Sequence, residues 1–211
     1  MEDIVIYGAG GFGREVACLI RNNLPKWNII GFFDDGKAKD TSVLPFGKIL
    51  GGIDELNAWE REIAIVISIG NPKTVKRLVS KVANPKVHFP NIIHPNFEML
   101  DDTSFTIGKG NIITSDCRVS CNVSIGDFNV LNGAVIVGHD ANIGSFNSFM
   151  PAVRISGEVK IGDCNFFGVS SIVLQQIKIG NEIKLSAGSV LMTKPKDGNL
   201  YMGNPAKRTE F

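Results

Sequence analysis

A six-residue repeat runs without interruption from Phe105 to Lys194, and it narrows what this chain can fold into more than any other feature. Each block of six, from FTIGKG to SVLMTK, carries an apolar residue at its third position. A helix needs apolar residues about every 3.6 positions, so this period favours very short strands that each point one side chain inward. A second period of eighteen residues, marked by repeated Ile-Gly pairs, predicts three strands per coil. The segment is therefore predicted to form an all-β, triangular parallel β-helix of about five coils, stacked about 4.8 Å apart.

The eighteen-residue period also predicts structural roles inside the β-helix. Phe149 and Phe167 fall in register and are expected to fill the core of adjacent coils. The recurrent glycines are expected at tight corners where φ is positive. Phe128 and Phe146 are expected near an outward corner, where stacked aromatic rings indicate a contact between subunits. Four asparagines with the same spacing are predicted to form a ladder of stacked side-chain amides at one corner: Asn111, Asn129, Asn147 and Asn165.

The first 90 residues alternate predicted strands and helices, which indicates an α/β, Rossmann-like domain with a parallel sheet. The strand DIVIYG is followed by a glycine-rich loop and then by a segment with helical spacing, so Gly8, Gly10 and Gly13 fit the pattern G-x-G-x-x-G in the context it requires. Backbone amides at the start of that helix can hold a phosphate or pyrophosphate. The loop formed by Gly10, Gly11, Phe12 and Gly13 is therefore a predicted substrate-binding element.

A second strand, NIIGFFDD, ends in Asp34 and Asp35, about twenty residues past the loop, where a carboxylate could bind a ribose hydroxyl. Alone, this arrangement would indicate an NAD-binding site. The same glycines could also form a tight strand–helix turn that binds no ligand. An NAD enzyme would normally carry two such halves and a catalytic domain. Because the partner here is a β-helix, the phosphate is expected to belong to a nucleotide-activated substrate.

Composition limits the remaining possibilities. The net charge of the 211 residues is +1, which suggests neither nucleic acid nor an anionic membrane as a partner. No apolar run reaches transmembrane length, and the N-terminus lacks the layout of a signal peptide. The four cysteines show no metal-ligand pairs and no disulfide framework, so no metal is expected and free thiols in a cytoplasmic protein are the simpler interpretation.

The predicted organisation has four segments. Residues 1–90 form the Rossmann-like domain, expected to bind a nucleotide sugar, and residues 91–104 form a linker. Pro90 and Pro95 would break any helix there, and the stretch is predicted to be a hinge between the two domains. The β-helix spans residues 105–194, and residues 195–211 form a C-terminal segment.

Among the three histidines, His139 is the one with a predicted chemical role, whereas His88 and His94 are read as structural. His139 is fifth in its block, past the inward position, so its side chain is expected to point outward. The residue one coil later is Gly157, which leaves room for a thioester to approach. Asp140 could orient the imidazole, although neighbouring side chains on a strand point apart. A neutral imidazole near pH 7 can take a proton from an amine or a hydroxyl.

The chain carries six motifs in order: IYGAGGFG at the start, FFDD after the second strand, ISIGN at 67–71, NIIHP at 91–95, VLNGAVIVGHD at 130–140 and GNPAK at 203–207. Together they resemble the NeuD/PglD family of sugar acetyltransferases, within the hexapeptide-repeat acyltransferases. The resemblance covers nearly the whole chain. It implies a left-handed β-helix, acetyl-CoA as cosubstrate, a nucleotide-linked amino sugar as acceptor, and a homotrimer with active sites between neighbouring β-helices.

The resemblance also implies roles for individual residues. His139 would be the general base, with Asp140 beside it, and Asn132 matches an asparagine that contacts the acceptor. The alternative for Asn132 is a turn residue, since many blocks have glycine at that position. Backbone positions matching Gly157 and Ala187 line the acetyl-CoA channel, and the C-terminal segment with Pro205 is expected near the same cosubstrate. Asp34 and Asp35 match an acidic pair near the nucleotide base and ribose, and the glycine loop would face the phosphates.

Two departures from the family pattern and three rival functions remain open. Many relatives have histidine where this chain has Phe12, and a second histidine where it has Ser148, so the identity of the sugar does not transfer. Phe12 could stack on the ligand or simply pack. An O-acetyltransferase of a sugar or sialic acid needs the same base and donor. An NAD oxidoreductase and a non-catalytic nucleotide-sugar sensor are alternatives from other classes. A γ-type carbonic anhydrase is rejected, because it needs several histidines for zinc and this β-helix has one.

Overall fold

The N-terminal part of the chain is a parallel sheet with helices between its strands, in a computed structural model that describes residues 1–209. Its elements, in chain order, are β1 Glu2–Tyr7, α1 Gly11–Asn23, β2 Trp27–Phe33, β3 Ile49–Gly51, α2 Ile53–Asn57, β4 Ile63–Ile67, α3 Pro72–Val79 and β5 Val87–His88. The sheet order is β3-β2-β1-β4-β5, so the chain crosses over next to β1. Ligands in open α/β sheets bind outside the carboxyl ends of the strands at such a crossover.

This sheet is buried because its central strands carry apolar residues on both faces. Residues 63–67 of β4 are all buried, as are residues 4–7 of β1. Continuous apolar runs of this kind are what a parallel sheet covered by helices requires. The predicted α/β architecture of the first domain is confirmed.

The rest of the chain consists mostly of two-residue strands. In chain order they are β6 Ile92–Ile93, β7 Glu98–Met99, β8 Thr106–Ile107, β9 Ile112–Ile113, β10 Arg118–Val119, β11 Ser124–Ile125, β12 Val130–Leu131, β13 Ile136–Val137, β14 Asn142–Ile143, β15 Ser148–Phe149, β16 Arg154–Ile155, β17 Lys160–Ile161, β18 Phe166–Phe167, β19 Ile172–Val173, β20 Lys178–Ile179, β21 Lys184–Leu185, β22 Val190–Leu191, β23 Leu200–Gly203 and β24 Ala206–Thr209.

These strands form three parallel sheets, one on each side of a triangular β-helix. We call them the first sheet (β6, β9, β12, β15, β18, β21 and β23, with β24 antiparallel at its end), the second sheet (β7, β10, β13, β16, β19 and β22) and the third sheet (β8, β11, β14, β17 and β20). From β6 to β20, three strands make each coil, giving five complete coils. The predicted parallel β-helix is confirmed.

The β-helix begins earlier than the repeat suggested. The stretch 91–104, predicted as a linker, contains β6 and β7, which pair with β9 and β10 of the next coil. The prediction of a hinge there was wrong, because Pro90 and Pro95 flank β6 without interrupting the pairing of Ile92 and Ile93. The first domain therefore passes into the β-helix after β5 without a separate linker.

Each coil turns at three corners, which we number by the sheets they join: the first corner follows a first-sheet strand, the second a second-sheet strand, and the third a third-sheet strand. Positive φ occurs at the last residue of nearly every block, and these residues are mostly not glycine. The recurrent glycines of the Ile-Gly pairs, such as Gly126 and Gly144, do not have positive φ, so that prediction was wrong. They are small because a Cβ at Gly144 would lie 2.7 Å from the carbonyl oxygen of Gly162 in the next coil.

The core and the amide ladder agree with the sequence. The rings of Phe149 and Phe167 stack with centroids 4.7 Å apart and no exposure. Asn147 donates from Nδ2 to Oδ1 of Asn129 at 3.0 Å, and Asn165 donates to Asn147 at 2.9 Å. Each ladder amide also donates to a backbone carbonyl of the neighbouring coil. Since the asparagines are fully buried, these bonds satisfy groups that would otherwise be costly to bury.

The first domain docks on the first sheet. Outward residues of that sheet, Ile112 and Val130, are buried in one apolar cluster with the helix α1. Phe128 is 5% exposed, stacks on Phe146 at 5.4 Å and meets Phe89 of the first domain edge-on at 5.0 Å. The prediction that Phe128 and Phe146 contact another subunit was therefore wrong, because the chain's own first domain covers them.

Candidate active site

The loop between β1 and α1 forms a turn in which two glycines, Gly8 and Gly13, are required by the backbone. Gly8 has φ of +104°, and a Cβ on Gly13 would collide with the carbonyl oxygen of Gly8. Gly10 and Gly11 face open space. Arg14 makes the first hydrogen bond of the helix, to the carbonyl oxygen of Gly10, so the three amides before it precede the helical ladder. The start of α1 therefore offers backbone amides to an anion at the carboxyl edge of the sheet.

The side chains of Phe12 and Asp34 make contacts within the chain that hold the glycine loop in place. Phe12 is half-buried and packs against the apolar cluster that contains Ala9 and Val130, which favours the packing role for this residue. Asp34 accepts hydrogen bonds from the backbone amides of Ala9 and Gly36, both at 2.8 Å. Its carboxylate thus fixes the glycine loop, and the contact with a ribose stays a prediction.

Asp35 is likewise engaged within the chain. It accepts a hydrogen bond from the amide of Ile53 at 2.9 Å, at the start of α2. Asp35 also lies beside Tyr7, whose pKa is raised, first by burial and then by its interaction with Asp35. Both members of the acidic pair are therefore at the carboxyl edge of the sheet, next to the glycine loop, as the motif predicted. Their contact with a nucleotide also stays a prediction.

His139 and Asp140 form a hydrogen-bonded pair at the second corner. Nδ1 of His139 lies 2.7 Å from Oδ2 of Asp140, and both side chains are 47% exposed. Asn122, one coil before, donates to Oδ1 of Asp140 at 2.7 Å. This bond and then His139 hold the pKa of Asp140 below its ordinary value, so the carboxylate is charged at neutral pH. The pair fixes Nδ1 as the protonated nitrogen and leaves Nε2 to act as a base.

The two side chains converge because the backbone is not a regular strand at this point. Asp140 has φ of +57°, which turns its side chain toward its neighbour instead of away. Gly157 lies one coil further on, and the nearest atom to an added Cβ there would be Nε2 of His139, at 2.5 Å. The imidazole therefore lies over a residue without a side chain, as the sequence predicted.

Other predicted residues lie at a different corner of the same chain. Asn132 is half-buried at the first corner, where Oγ1 of Thr114 lies 3.3 Å from its Oδ1. Ala187 is exposed at that corner, and Pro205 is exposed in the turn between β23 and β24. One strand of the second sheet separates Asn132 from His139 along the chain. The single chain therefore does not bring the predicted acceptor and base residues together.

A cleft of about 480 Å³ opens between the first domain and the first sheet. It is lined by residues 70–73, at the start of α3, and by side chains of the later coils: Met150, Cys164, Phe166, Glu182 and Lys184. Lys73 bridges the domains through an ion pair with Glu182 at 2.6 Å. Ile69, which precedes Gly70 of the cleft lining, lies near Gly8, so the cleft is close to the glycine loop.

Sequence reasoning missed most of the cleft and the amide partners at the second corner. Only the ISIGN motif, whose last residues are Gly70 and Asn71, pointed toward the cleft. Asn122 could have been found from the eighteen-residue register, since it stands one coil before Asp140. The cysteines are free, with Cys121 exposed and the pKa of Cys117 raised to about 11 by burial. Within residues 1–209, no three His, Cys, Asp or Glu side chains are grouped so that they could hold a metal ion.

Comparison with known proteins gives a family match for the first domain and structural matches for the whole chain. Residues 3–82 match the family model for the PglD N-terminal domain. The acetyltransferase domain of PglB from Neisseria gonorrhoeae FA1090 is 27% identical, with a TM-score of 0.90 over 99% of this chain and 100% of that chain. A second structure of that domain is in complex with acetyl coenzyme A. WeeI from Acinetobacter baumannii AYE is 28% identical, with a TM-score of 0.89 over 98% of this chain and 100% of that one.

PerB from Caulobacter crescentus, in complex with CoA and GDP-perosamine, shares the fold, with 24% identity and a TM-score of 0.89 over 100% of this chain and 98% of that chain. Curated protein sequences give no significant match. No helix within residues 1–209 combines the length and hydropathy needed to cross a bilayer. Through this N-terminal family match and the full-length structural similarity, the chain resembles sugar acetyltransferases of the NeuD/PglD type.

Proposed function

We propose that this chain is an acetyl-CoA-dependent N-acetyltransferase that acts on a nucleotide-linked amino sugar, with His139 as general base. The observation that carries the proposal is the His139–Asp140 pair whose free Nε2 faces Gly157. A base held in one tautomer on a half-exposed side chain suits proton removal from a bound nucleophile. The relatives crystallised with acetyl coenzyme A, or with CoA and GDP-perosamine, support the same donor and the same class of acceptor. Acetyl-CoA is a cytoplasmic metabolite, and we place the reaction in the cytoplasm.

The proposed reaction is a direct transfer. The acceptor amine attacks the thioester carbonyl, and Nε2 of His139 takes the proton that the nitrogen loses. The C–S bond then breaks, and the departing thiolate receives a proton from the imidazolium. The amide of Gly157 is the proposed oxyanion donor, because the amides on either side of it, of Ser156 and Glu158, are used by backbone carbonyls. No acyl-enzyme is needed, so Cys121, one coil before His139, has no step to perform.

The acceptor is proposed to lie between the glycine loop and the interdomain cleft. The amides at the start of α1 would receive its phosphates, and the cleft beside Gly70 would receive the sugar. Met150 and Phe166 give this cleft an apolar wall, whereas Lys184 adds a positive charge for an anionic ligand. The location at the crossover next to β1 is where ligands bind in sheets of this kind.

A trimer with shared sites is part of the proposal. The outward residues of the third sheet include Asn142, Lys160 and Lys178, all exposed, whereas those of the second sheet include Ile136 and Ile172. The first sheet is already covered by the first domain. The second sheet also carries Val190 and the charged residues Glu98, Arg118 and Arg154, and it is the less polar of the two faces left for another copy. Contact through that face could join the second corner of one chain, with His139, to the first corner and cleft of the next. A monomeric mass in light scattering would contradict this arrangement.

Subunit mixing tests the shared site directly. His139→Ala removes the base, and Met150→Trp is designed to fill the cleft of the same chain. If base and cleft come from neighbouring chains, mixed trimers contain some sites with both parts intact, and unfolding and refolding the two variants together raises the rate at sub-KM nucleotide sugar above the sum of the two variants alone. If mixed trimers form and the rate does not exceed that sum, each chain supplies its own complete site and this part of the proposal fails.

The first experiment measures free-thiol release from acetyl-CoA with a panel of nucleotide-linked amino sugars, for the wild type and for His139→Ala. We expect turnover with an amino sugar and a loss of about 10²–10⁴-fold in the variant. Wild-type turnover in His139→Ala would contradict the mechanism. Turnover only with hydroxyl acceptors would establish the O-acetyltransferase instead, and binding without thiol release would establish a sensor. Binding of NADH in a direct titration would favour the oxidoreductase.

A further inference from the structure

Four polar residues stack at the second corner, one per coil, in the order amide, carboxylate, carboxylate, amide. They are Asn122, Asp140, Glu158 and Gln176, and their φ angles are +53°, +57°, +59° and +65°. The shared conformation turns all four side chains the same way. Two carboxylates one coil apart are about 4.8 Å apart along the axis, a spacing at which like charges repel. A cation that forms beside such a pair offsets this repulsion and is itself stabilised by the two negative charges.

Each carboxylate is clamped by amide donors. Asp140 receives Nδ2 of Asn122, as described above. Glu158 receives Nε2 of Gln175 on Oε1 at 3.0 Å and Nε2 of Gln176 on Oε2 at 3.2 Å. These two bonds lower the pKa of Glu158, the positive charge of a protonated His139 lowers it further, and the charge of Asp140 opposes them. The Glu158 carboxylate is therefore ionised at neutral pH and lies within electrostatic range of His139.

The backbone places His139 and Glu158 on adjacent coils of the same corner. The amide of Glu158 donates to the carbonyl oxygen of His139 at 2.7 Å, so the two residues belong to adjacent rungs of one corner. Nε2 of His139 is directed at Gly157, which directly precedes Glu158. The titratable groups around the imidazole in this chain are Cys121 on the coil before, Asp140 on the same coil and Glu158 on the coil after.

We propose that Glu158 is a positioning residue for the base: its clamped carboxylate stabilises the imidazolium that His139 becomes when it takes the proton of the acceptor. Asp140 acts on the Nδ1 side and fixes the tautomer, whereas Glu158 acts from the coil that carries Gly157. This inference rests on the proposed function of His139 as the base. The competing role for Glu158 is attraction of the acceptor's ammonium group, which predicts a different kinetic result.

The first test does not depend on turnover. The ring resonances of His139 are titrated with pH by NMR in the wild type, in Glu158→Gln and in Glu158→Asp, with His139→Ala to assign them among the three histidines. Loss of the charge in Glu158→Gln should move the midpoint to lower pH by about half a unit, because an exposed carboxylate acts through solvent. The difference should shrink as NaCl is added, since exposed charges are screened. Glu158→Asp, which keeps the charge, should titrate closer to the wild type.

The matched control is Glu60→Gln, which removes an exposed carboxylate just before β4. Glu60 lies at the amino edge of the sheet, opposite the edge that carries the glycine loop. It should leave the midpoint unchanged. An unchanged midpoint in Glu158→Gln would overturn the proposal whether or not the acetyltransferase assay has found its acceptor. Failure to find any acceptor while the midpoint moves would instead count against the proposed function alone.

Kinetics then separates the two roles of Glu158. If it stabilises the imidazolium, kcat of Glu158→Gln falls about threefold, and the acid limb of the kcat/KM profile moves to lower pH with the NMR midpoint. A rise in KM for the amino sugar with an unchanged acid limb would show ammonium binding and would overturn the proposal. Thermal unfolding of each variant confirms that the comparison is made between folded proteins.

Discussion

Gly157 lies against the imidazole of His139, and a Cβ at this position would be 2.5 Å from Nε2. All three nearest atoms to that Cβ belong to the His139 ring, so the side chain can move away and the backbone need not. We expect Gly157→Ala to fold and to displace the imidazole. A shift of about 1 Å in a catalytic group can cost about 10²-fold in rate, and thiol release from acetyl-CoA would measure the loss.

Gly162→Ala is the matched comparison on the same β-helix. Its Cβ would lie 2.6 Å from the carbonyl oxygen of Gly180, a backbone atom that cannot rotate away. This variant should lose stability in thermal unfolding and should not single out catalysis. Gly157→Ala with wild-type kcat would show that the imidazole does not need its observed position.

Asp140→Asn should remove the tautomer control of His139 while preserving the shape of the corner. The donated bond from Asn122 and then His139 lower the pKa of Asp140, so its charge persists as pH falls to the ordinary carboxyl value and is lost only below it. An acid limb above the ordinary carboxyl range in the wild type therefore does not come from Asp140. We expect kcat of Asp140→Asn to fall about 10–10²-fold.

The measurement is a kcat/KM profile across acid and alkaline pH for both proteins. Asn122→Ala, which leaves the carboxylate in place but removes its donor, should show a smaller loss. Full activity of Asp140→Asn would mean that the hydrogen bond to Nδ1 has no role in catalysis.

The sequence predicted the β-helix well because its structure repeats. In a solenoid, a residue's position in the period fixes whether it faces the core, so Phe149, Phe167 and the asparagine ladder were assigned correctly. Phe128 was assigned to the right corner but to the wrong neighbour. The period says which side chains point outward, whereas what covers them depends on how the first domain docks.

The candidate site also has features that the sequence predicted and features that it did not. The outward position of His139 and its proximity to Gly157 follow from the register, but its hydrogen bond to Asp140 depends on a positive φ that the sequence pattern does not state. The motif placed Asp34 and Asp35 at the correct edge of the sheet without showing that backbone amides already use their oxygens. The cleft beside Lys73 arises from the packing of two domains, and local sequence does not encode such a contact.

Asn147→Ala tests the energetic role of the ladder. Asn147 is fully buried, donates to Asn129 and to the carbonyl oxygen of Gly162, and accepts from Asn165. Removing it leaves buried donors and acceptors without partners, so we expect a loss of about 2–4 kcal/mol in the free energy of unfolding, measured with urea. Asn142→Ala removes an exposed amide that donates to Ser124 and should change stability little. Equal stability of the two variants would contradict a structural role for the ladder.

Met150→Trp tests whether the interdomain cleft receives the acceptor. Met150 is half-buried at the first corner and lines the cleft of about 480 Å³, so a larger ring there reduces the space for a sugar. We expect KM for the nucleotide sugar to rise about tenfold or more, the equivalent of about 1.4 kcal/mol in binding. KM for acetyl-CoA should change much less. Lys178→Trp adds the same ring to the exposed third sheet and should leave both constants unchanged. A selective rise in KM for acetyl-CoA in Met150→Trp would instead place the donor, and not the acceptor, in this cleft.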